Sequence, residues 1–220
     1  MEQAKTKQKI TVAFYGDASV GKTSIIQVYD NGNFSYEQLQ TVGTNSIQKT
    51  IYINDNKTVV TIYDTAGQTQ FKRINVNLLK NAEGIILVYA VNNIESFKSV
   101  RETRDNIIKS HPKATFMVLV ANKNDLDPSE WEVTTQQGKD LANEFGIPFC
   151  ETSAKLGTGL ETMFKKLISG VYKNKFNESV KTWTYEKVTQ SEPKTEMLIG
   201  GVGEIKQNSF CKKICGCLFK

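Results

Sequence analysis

The run Gly16-Asp17-Ala18-Ser19-Val20-Gly21-Lys22-Thr23-Ser24 has the residue types and spacing of a loop that cradles a polyphosphate. Its glycines let the backbone curl so that successive N–H groups point inward at an anion. A helix that starts at its end adds the positive pole of its dipole. Lys22 brings a full charge toward β- and γ-phosphates, and the Thr23 hydroxyl is placed to meet a magnesium ion. The alternative is a chance turn ahead of a helix. The strand before the run and the helix after it weigh against that.

Phosphate binding alone names neither the nucleotide nor the reaction, because kinases and ATPases share it. Three later segments narrow the choice. Asp64-Thr65-Ala66-Gly67-Gln68 follows a strand-like run. A carboxylate at a strand end facing the phosphate loop can hold magnesium, directly or through water. Gly67 offers a backbone N–H to a γ-phosphate with no side chain in the way, and Gln68 has the groups to orient an attacking water. Asn122-Lys123-Asn124-Asp125 follows an apolar strand. The Asp125 carboxylate can accept from both the N1–H and the exocyclic amine of guanine, whereas adenine would leave it buried and unpaired. Ser153-Ala154-Lys155 follows the strand around Phe149, where backbone N–H groups could meet the guanine carbonyl. Alone this last triplet is an ordinary loop; its position after the Asn-Lys-x-Asp element gives it meaning.

These segments need a scaffold, and the hydrophobic pattern supplies one. Ile10–Tyr15, Gly84–Val91 and Ala114–Ala121 are nearly unbroken apolar runs, which read as strands buried on both faces. Phe149 closes a shorter fourth. Between them apolar residues fall at helical spacing, with capping pairs Asn92/Glu95, Thr134/Gln137 and Thr158/Glu161. Ser46–Ile53 and Lys57–Tyr63, joined by Asn54-Asp55-Asn56, read as a hairpin. Strand–helix alternation gives a three-layer α/β fold. Its mainly parallel six-stranded sheet has one antiparallel edge strand and helices on both faces.

Length and composition agree with one folded domain plus a remainder. The chain has 220 residues, 39% hydrophobic and 23% charged, with a formal net charge of +5. That excess is mild for a nucleic-acid binder, and no nucleic-acid partner is expected. The start of the chain is polar and the run Ile10–Tyr15 is too short for a signal peptide. No stretch reaches the roughly 20 apolar residues of a membrane span. Cys150 reads as a small core residue. Past Lys173 the periodicity fades, and Trp183 reads as a tail residue. The expected organisation is an extension over 1–8, a folded domain over 9–173 and a flexible tail over 174–220.

In this order and spacing the motifs resemble the Ras superfamily of small GTPases, most closely its Rab branch. The resemblance covers roughly residues 9–173. Thr41-Val42-Gly43 resembles a first switch, and Asp64–Gln68 followed by Phe71 a second. Glu151-Thr152-Ser153-Ala154-Lys155 resembles the guanine loop. The resemblance implies the P-loop NTPase fold, with GTP or GDP bound together with Mg2+. It implies that Thr41 contacts magnesium and γ-phosphate in the GTP state, and that Phe34 stacks against the guanine edge. Lys22, Thr41 and Gln68 then serve hydrolysis. Thr23, Thr41 and Asp64 serve the metal. No inserted domain between Thr23 and Thr41 could carry an arginine finger, so slow turnover and an activating partner in trans are expected. Exchange factors and effectors complete the implied partners of a monomeric switch. Asn45, Ser46, Tyr63, Thr69 and Leu78-Leu79 depart from the Rab pattern, several of them at surface positions that partners read. The other readings are a scaffold that binds GTP without cycling and a signalling GTPase outside the Rab branch.

At the C-terminus Cys215-Gly216-Cys217 lies near Lys212-Lys213. Prenylated cysteines beside basic residues give the two signals that stable membrane anchoring needs. The expected location is the cytoplasmic face of an intracellular membrane, in exchange with the cytosol.

Overall fold

A computed structural model of the chain describes residues 8–36, 41, 44–65, 80–110, 114 and 116–185. Its strands are β1 (Gln8–Tyr15), β2 (Thr44–Ile53), β3 (Asn56–Thr65), β4 (Gly84–Ala90), β5 (Phe116–Asn122), β6 (Phe149–Thr152) and β7 (Trp183–Tyr185). Its α-helices are α1 (Lys22–Asn31), α2 (Ile94–Ser110), α3 (Thr135–Phe145) and α4 (Leu160–Phe176).

All seven strands form one sheet in the order β6-β5-β4-β1-β3-β2-β7. The five from β6 to β3 run parallel; β2 is antiparallel to β3, and β7 to β2. Every residue of β4 is buried, as its unbroken apolar run predicts for a central strand. On one face Ile25 and Ile26 of α1 join Met163, Phe164, Leu167 and Val171 of α4 over the sheet. On the other, Val100 and Ile107 of α2 join Leu141 and Ala142 of α3. The carboxyl ends of the parallel strands therefore open onto one rim, where α/β folds bind ligands.

The sheet has seven strands rather than the expected six, and its edge is β7 rather than β2. The cause lies in the hairpin turn. Asn54 and Asp55 both take positive φ, 48° and 62°, as a two-residue turn between antiparallel strands requires. Facing out of that turn, the Asn54 amide gathers the returning chain. Its Nδ2 donates to Glu178 Oε1 at 2.8 Å and to the Ser179 carbonyl at 2.9 Å. Its Oδ1 accepts from the backbone N–H of Lys181 at 2.7 Å and of Thr182 at 3.2 Å. The Asn54 N–H donates to the Thr182 carbonyl at 3.2 Å. This holds Trp183–Tyr185 against Ile51–Ile53. Trp183 is thus a strand residue packed on the core, not part of a tail. Regular structure likewise continues past Lys173, since α4 runs to Phe176.

The helix caps differ in two places. Asn93, not Asn92, caps α2, its Oδ1 accepting from the Ser96 N–H at 2.9 Å. Gly159, not Thr158, precedes α4 and makes no side-chain cap. The Thr134/Gln137 capping box of α3 is present. The shift at α2 leaves Asn92 free of helix duty.

Candidate nucleotide site

The rim holds a cavity of about 450 Å³. Ala18, Ser19, Gly21, Lys22, Thr23 and Ser24 line one end, Asn122, Lys123, Asp125, Ala154 and Lys155 the other, and Phe34 and Thr41 lie along its side. Gly16, Asp17, Val20, Asp64 and Ser153 do not line it but hold residues that do. Gly67, Gln68, Cys215 and Cys217 lie outside the described residues.

The phosphate loop leaves β1 and enters α1 through Gly16, Ser19 and Gly21, at φ 147°, 62° and 97°. Two of these must be glycine for space as well as conformation. A Cβ on Gly16 would stand 2.1 Å from the Val88 carbonyl oxygen, and one on Gly21 would stand 2.3 Å from Asn122 Nδ2. Buried Lys22 turns back over the loop, its Nζ donating to the carbonyls of Gly16 at 2.9 Å and Asp17 at 2.7 Å. The Asp17 carboxylate accepts from Ser99 Oγ at 2.7 Å, which ties the loop to α2.

Next to Lys22, three oxygens converge from three segments. Thr23 Oγ1 donates to Asp64 Oδ2 at 2.7 Å and lies 2.9 Å from Thr41 Oγ1. Thr41 Oγ1 donates to the same Oδ2 at 3.3 Å. Asp64 Oδ1 is buried with no hydrogen-bond partner among the described residues. Burial pushes the Asp64 carboxyl above its ordinary value, against the pull of Thr23, Lys22 and Thr41.

At the other end, Asp125 Oδ1 accepts from Ser153 Oγ at 2.6 Å, while Oδ2 lies 3.9 Å from Lys155 Nζ. The Asp125 side chain is only 8% exposed, so it has little water to satisfy its remaining lone pairs. Burial lowers the Lys123 ammonium below its usual value, and neighbouring Asp125 partly offsets this. Lys123 also takes φ 68°, a left-handed kink between Asn122 and Asp125.

Asn122 does something that its sequence position does not reveal. Its Nδ2 donates to the Val20 carbonyl at 2.8 Å. Its Oδ1 accepts from Thr152 Oγ1 at 3.1 Å and from the Ala154 N–H at 3.3 Å. One buried amide thus joins the phosphate loop to the loop after β6. Sequence reasoning missed Ser35, Tyr36, Thr65, Asn92 and Leu126, which also line the cavity. Asn92 is the most informative of them: its Oδ1 is buried and partnerless among the described residues. The signal available was an Asn pair ahead of a helix, of which only one member can cap.

Residues 11–173 match the Ras family model. The chain belongs to the Ras family of small GTPases. As a member it binds guanine nucleotide and regulators, and hydrolyses GTP. Its curated relatives include proteins with Rab names. It is 36% identical over 183 residues to the Ras-related protein Rab-3 of Caenorhabditis elegans, covering 83% of this chain and 80% of that one. It is 36% identical over 155 residues to RAB1BV of Beta vulgaris, covering 70% and 72%. With Rab7 of Cenchrus ciliaris it shares 31% identity over 183 residues, covering 80% and 89%. Among the described residues no helix of this GTPase is long and apolar enough to cross a membrane.

Proposed function

We propose that this GTPase is a Rab-like switch in membrane trafficking, and that the rim cavity is where GTP is bound and cleaved. The observation that carries this reading is the convergence of Thr23, Thr41 and Asp64 beside Lys22, with half-satisfied Asp125 at the far end of the same cavity. Polyphosphate belongs at the first end and a guanine base at the second. Ser153, Ala154 and Lys155 flank the base, and Phe34 covers its edge.

The oxygens of Thr23, Thr41 and Asp64 fit a magnesium ion. They are hard donors, they include one carboxylate, and Asp64 Oδ1 has no partner among the described residues. When bound, that ion supplies positive charge to the phosphates. The chain's own residues do the rest. Lys22 turns from its loop carbonyls to the β- and γ-phosphates, and the inward N–H groups of 16–23 complete the cradle. Gln68 orients the water that attacks the γ-phosphorus, and Gly67 holds a γ-oxygen. Without an arginine in cis, turnover is slow until an activating protein supplies one. Release of phosphate frees Thr41 and Gly67, so effectors read the state of two loops. The domain carrying this chemistry is followed by a tail whose Cys215 and Cys217 are prenylated beside Lys212 and Lys213. The protein thereby works at the cytoplasmic face of an intracellular membrane.

The deciding experiment identifies the nucleotide that copurifies with the full chain and follows its hydrolysis with Mg2+ and with EDTA. GDP or GTP with Mg2+-dependent phosphate release is expected. Guanine nucleotide without turnover would favour a non-cycling scaffold, and adenine nucleotide would overturn the base-reading role of Asp125. Asp125→Asn should shift preference from guanosine to xanthosine nucleotides. Replacing Cys215 and Cys217 with Ser should move the protein from membranes to the soluble fraction of cells.

A further inference from the structure

Among the described residues Tyr36 is the most exposed large hydrophobic side chain, at 77%, yet it stands at the rim cavity and lines it. Its ring meets Phe34 edge-on, with centroids 5.1 Å apart. On its other side Lys155 Nζ lies 5.6 Å from the ring centroid. A hydrogen bond to the Tyr36 side chain is the main reason the Lys155 ammonium is held above its usual value. Lys155 Nζ is in turn 3.9 Å from Asp125 Oδ2. A line of contacts, Phe34–Tyr36–Lys155–Asp125, therefore runs from the loop after α1 to the loops after β6 and β5. Those loops are the walls between which a base would sit.

We propose that Tyr36 and Lys155 form a clasp over the cavity that slows the escape of bound guanine nucleotide. The inference rests on the cavity being the nucleotide site. Tyr36 is a positioning residue here: it acts through Lys155 and Phe34 rather than on reacting atoms. An aromatic ring this exposed gains little from burial, so its contacts contribute mainly to holding the two loops together. The ring offers Lys155 a π-face and a hydroxyl, which keeps the ammonium over the cavity while Asp125 stays available to the base. Leaving nucleotide must part the ring from the lysine, and that parting is an added step on the way out.

The test is release of a fluorescent GDP analogue from the full chain, chased with excess GDP. Tyr36→Ala should release it about tenfold faster, the size expected for one aromatic edge contact plus one cation–π contact at an exposed site. Tyr36→Phe keeps the ring and should fall between wild type and Tyr36→Ala. In a double-mutant cycle, Tyr36→Ala should speed release less on a Lys155→Ala background than in the wild type, because the contact the two share is already gone. Additive effects, or release from Tyr36→Ala at the wild-type rate, overturn the clasp. Asp125→Asn in the same assay separates the two ideas. Lost guanine preference there, with unchanged release from Tyr36→Ala, sinks the clasp and leaves the site standing. Unchanged guanine preference removes the site on which the clasp depends.

Discussion

At the turn of the β2–β3 hairpin, Asn54 commits both amide hydrogens and both lone pairs of its side-chain oxygen to the strap Glu178–Thr182. At the opposite end of the same hairpin, β3 finishes at Asp64 and Thr65, and Asp64 has one buried oxygen without a partner among the described residues. Both ends are polar and irregular, and both bring distant segments together. The difference is satisfaction. A saturated network holds the segments it joins in one arrangement, even where water reaches it as it does at Asn54. An unsaturated one is incomplete without a further ligand, and native proteins keep few such groups without a reason. The strap end of the hairpin therefore contributes stability, and the rim end contributes function.

Substitutions at the two ends should separate these roles. The largest effect is expected from Lys22→Ala, which removes the charge proposed to meet the phosphates. GTP affinity should drop by about a hundredfold or more by fluorescence titration, on the scale of lost charge-assisted hydrogen bonds. Unaltered affinity would break the assignment of the rim end. Gln68→Leu should slow single-turnover hydrolysis by at least about tenfold, the low end of what a residue orienting the attacking group supplies, and leave GTP affinity intact. Asn54→Ala should do the reverse. Removing the clamp hands the exposed backbone N–H groups of Lys181 and Thr182 to water, at a cost of about 1 kcal/mol by denaturant titration, while nucleotide affinity stays within twofold or so on the same scale. A large loss of affinity would show that the ends are coupled. The smallest effect belongs to Lys49, midway along β2. Its Nζ donates to the carbonyls of Tyr29 at 2.6 Å and Asp30 at 3.0 Å, in the last turn of α1. Lys49→Met should cost roughly 1 kcal/mol or less, as for other C-terminal helix caps, and should not change nucleotide binding.

The rim was legible in the sequence because its chemistry is local. A phosphate loop is eight neighbouring residues, and Asp125 sits three positions after Asn122 whatever the rest of the chain does. The parallel core was legible for a similar reason, since β1, β4 and β5 are continuous apolar runs. The strap was not. Trp183-Thr184-Tyr185 is too short to show alternation, and its pairing depends on Asn54, more than a hundred residues earlier, being free to turn outward from the hairpin. Asn92 was misread on the same ground, and the bridging hydrogen bonds of Asn122 went unseen. An asparagine in sequence does not reveal whether its amide caps a helix, faces a ligand or bridges two loops, because that is decided by what the fold brings within 3 Å or so of it.

The Asn122 bridge has a consequence for how binding energy adds up. Because one buried side chain fixes the spacing between the loop proposed to take phosphate and the loop proposed to take base, the cavity would act as a ruler of set length. A ligand that matches the ruler gains a chelate advantage: once its phosphates are seated, its base is presented to the second loop at high effective concentration. Guanosine and triphosphate offered as separate molecules should therefore bind far more weakly, even together, than the same groups joined through ribose.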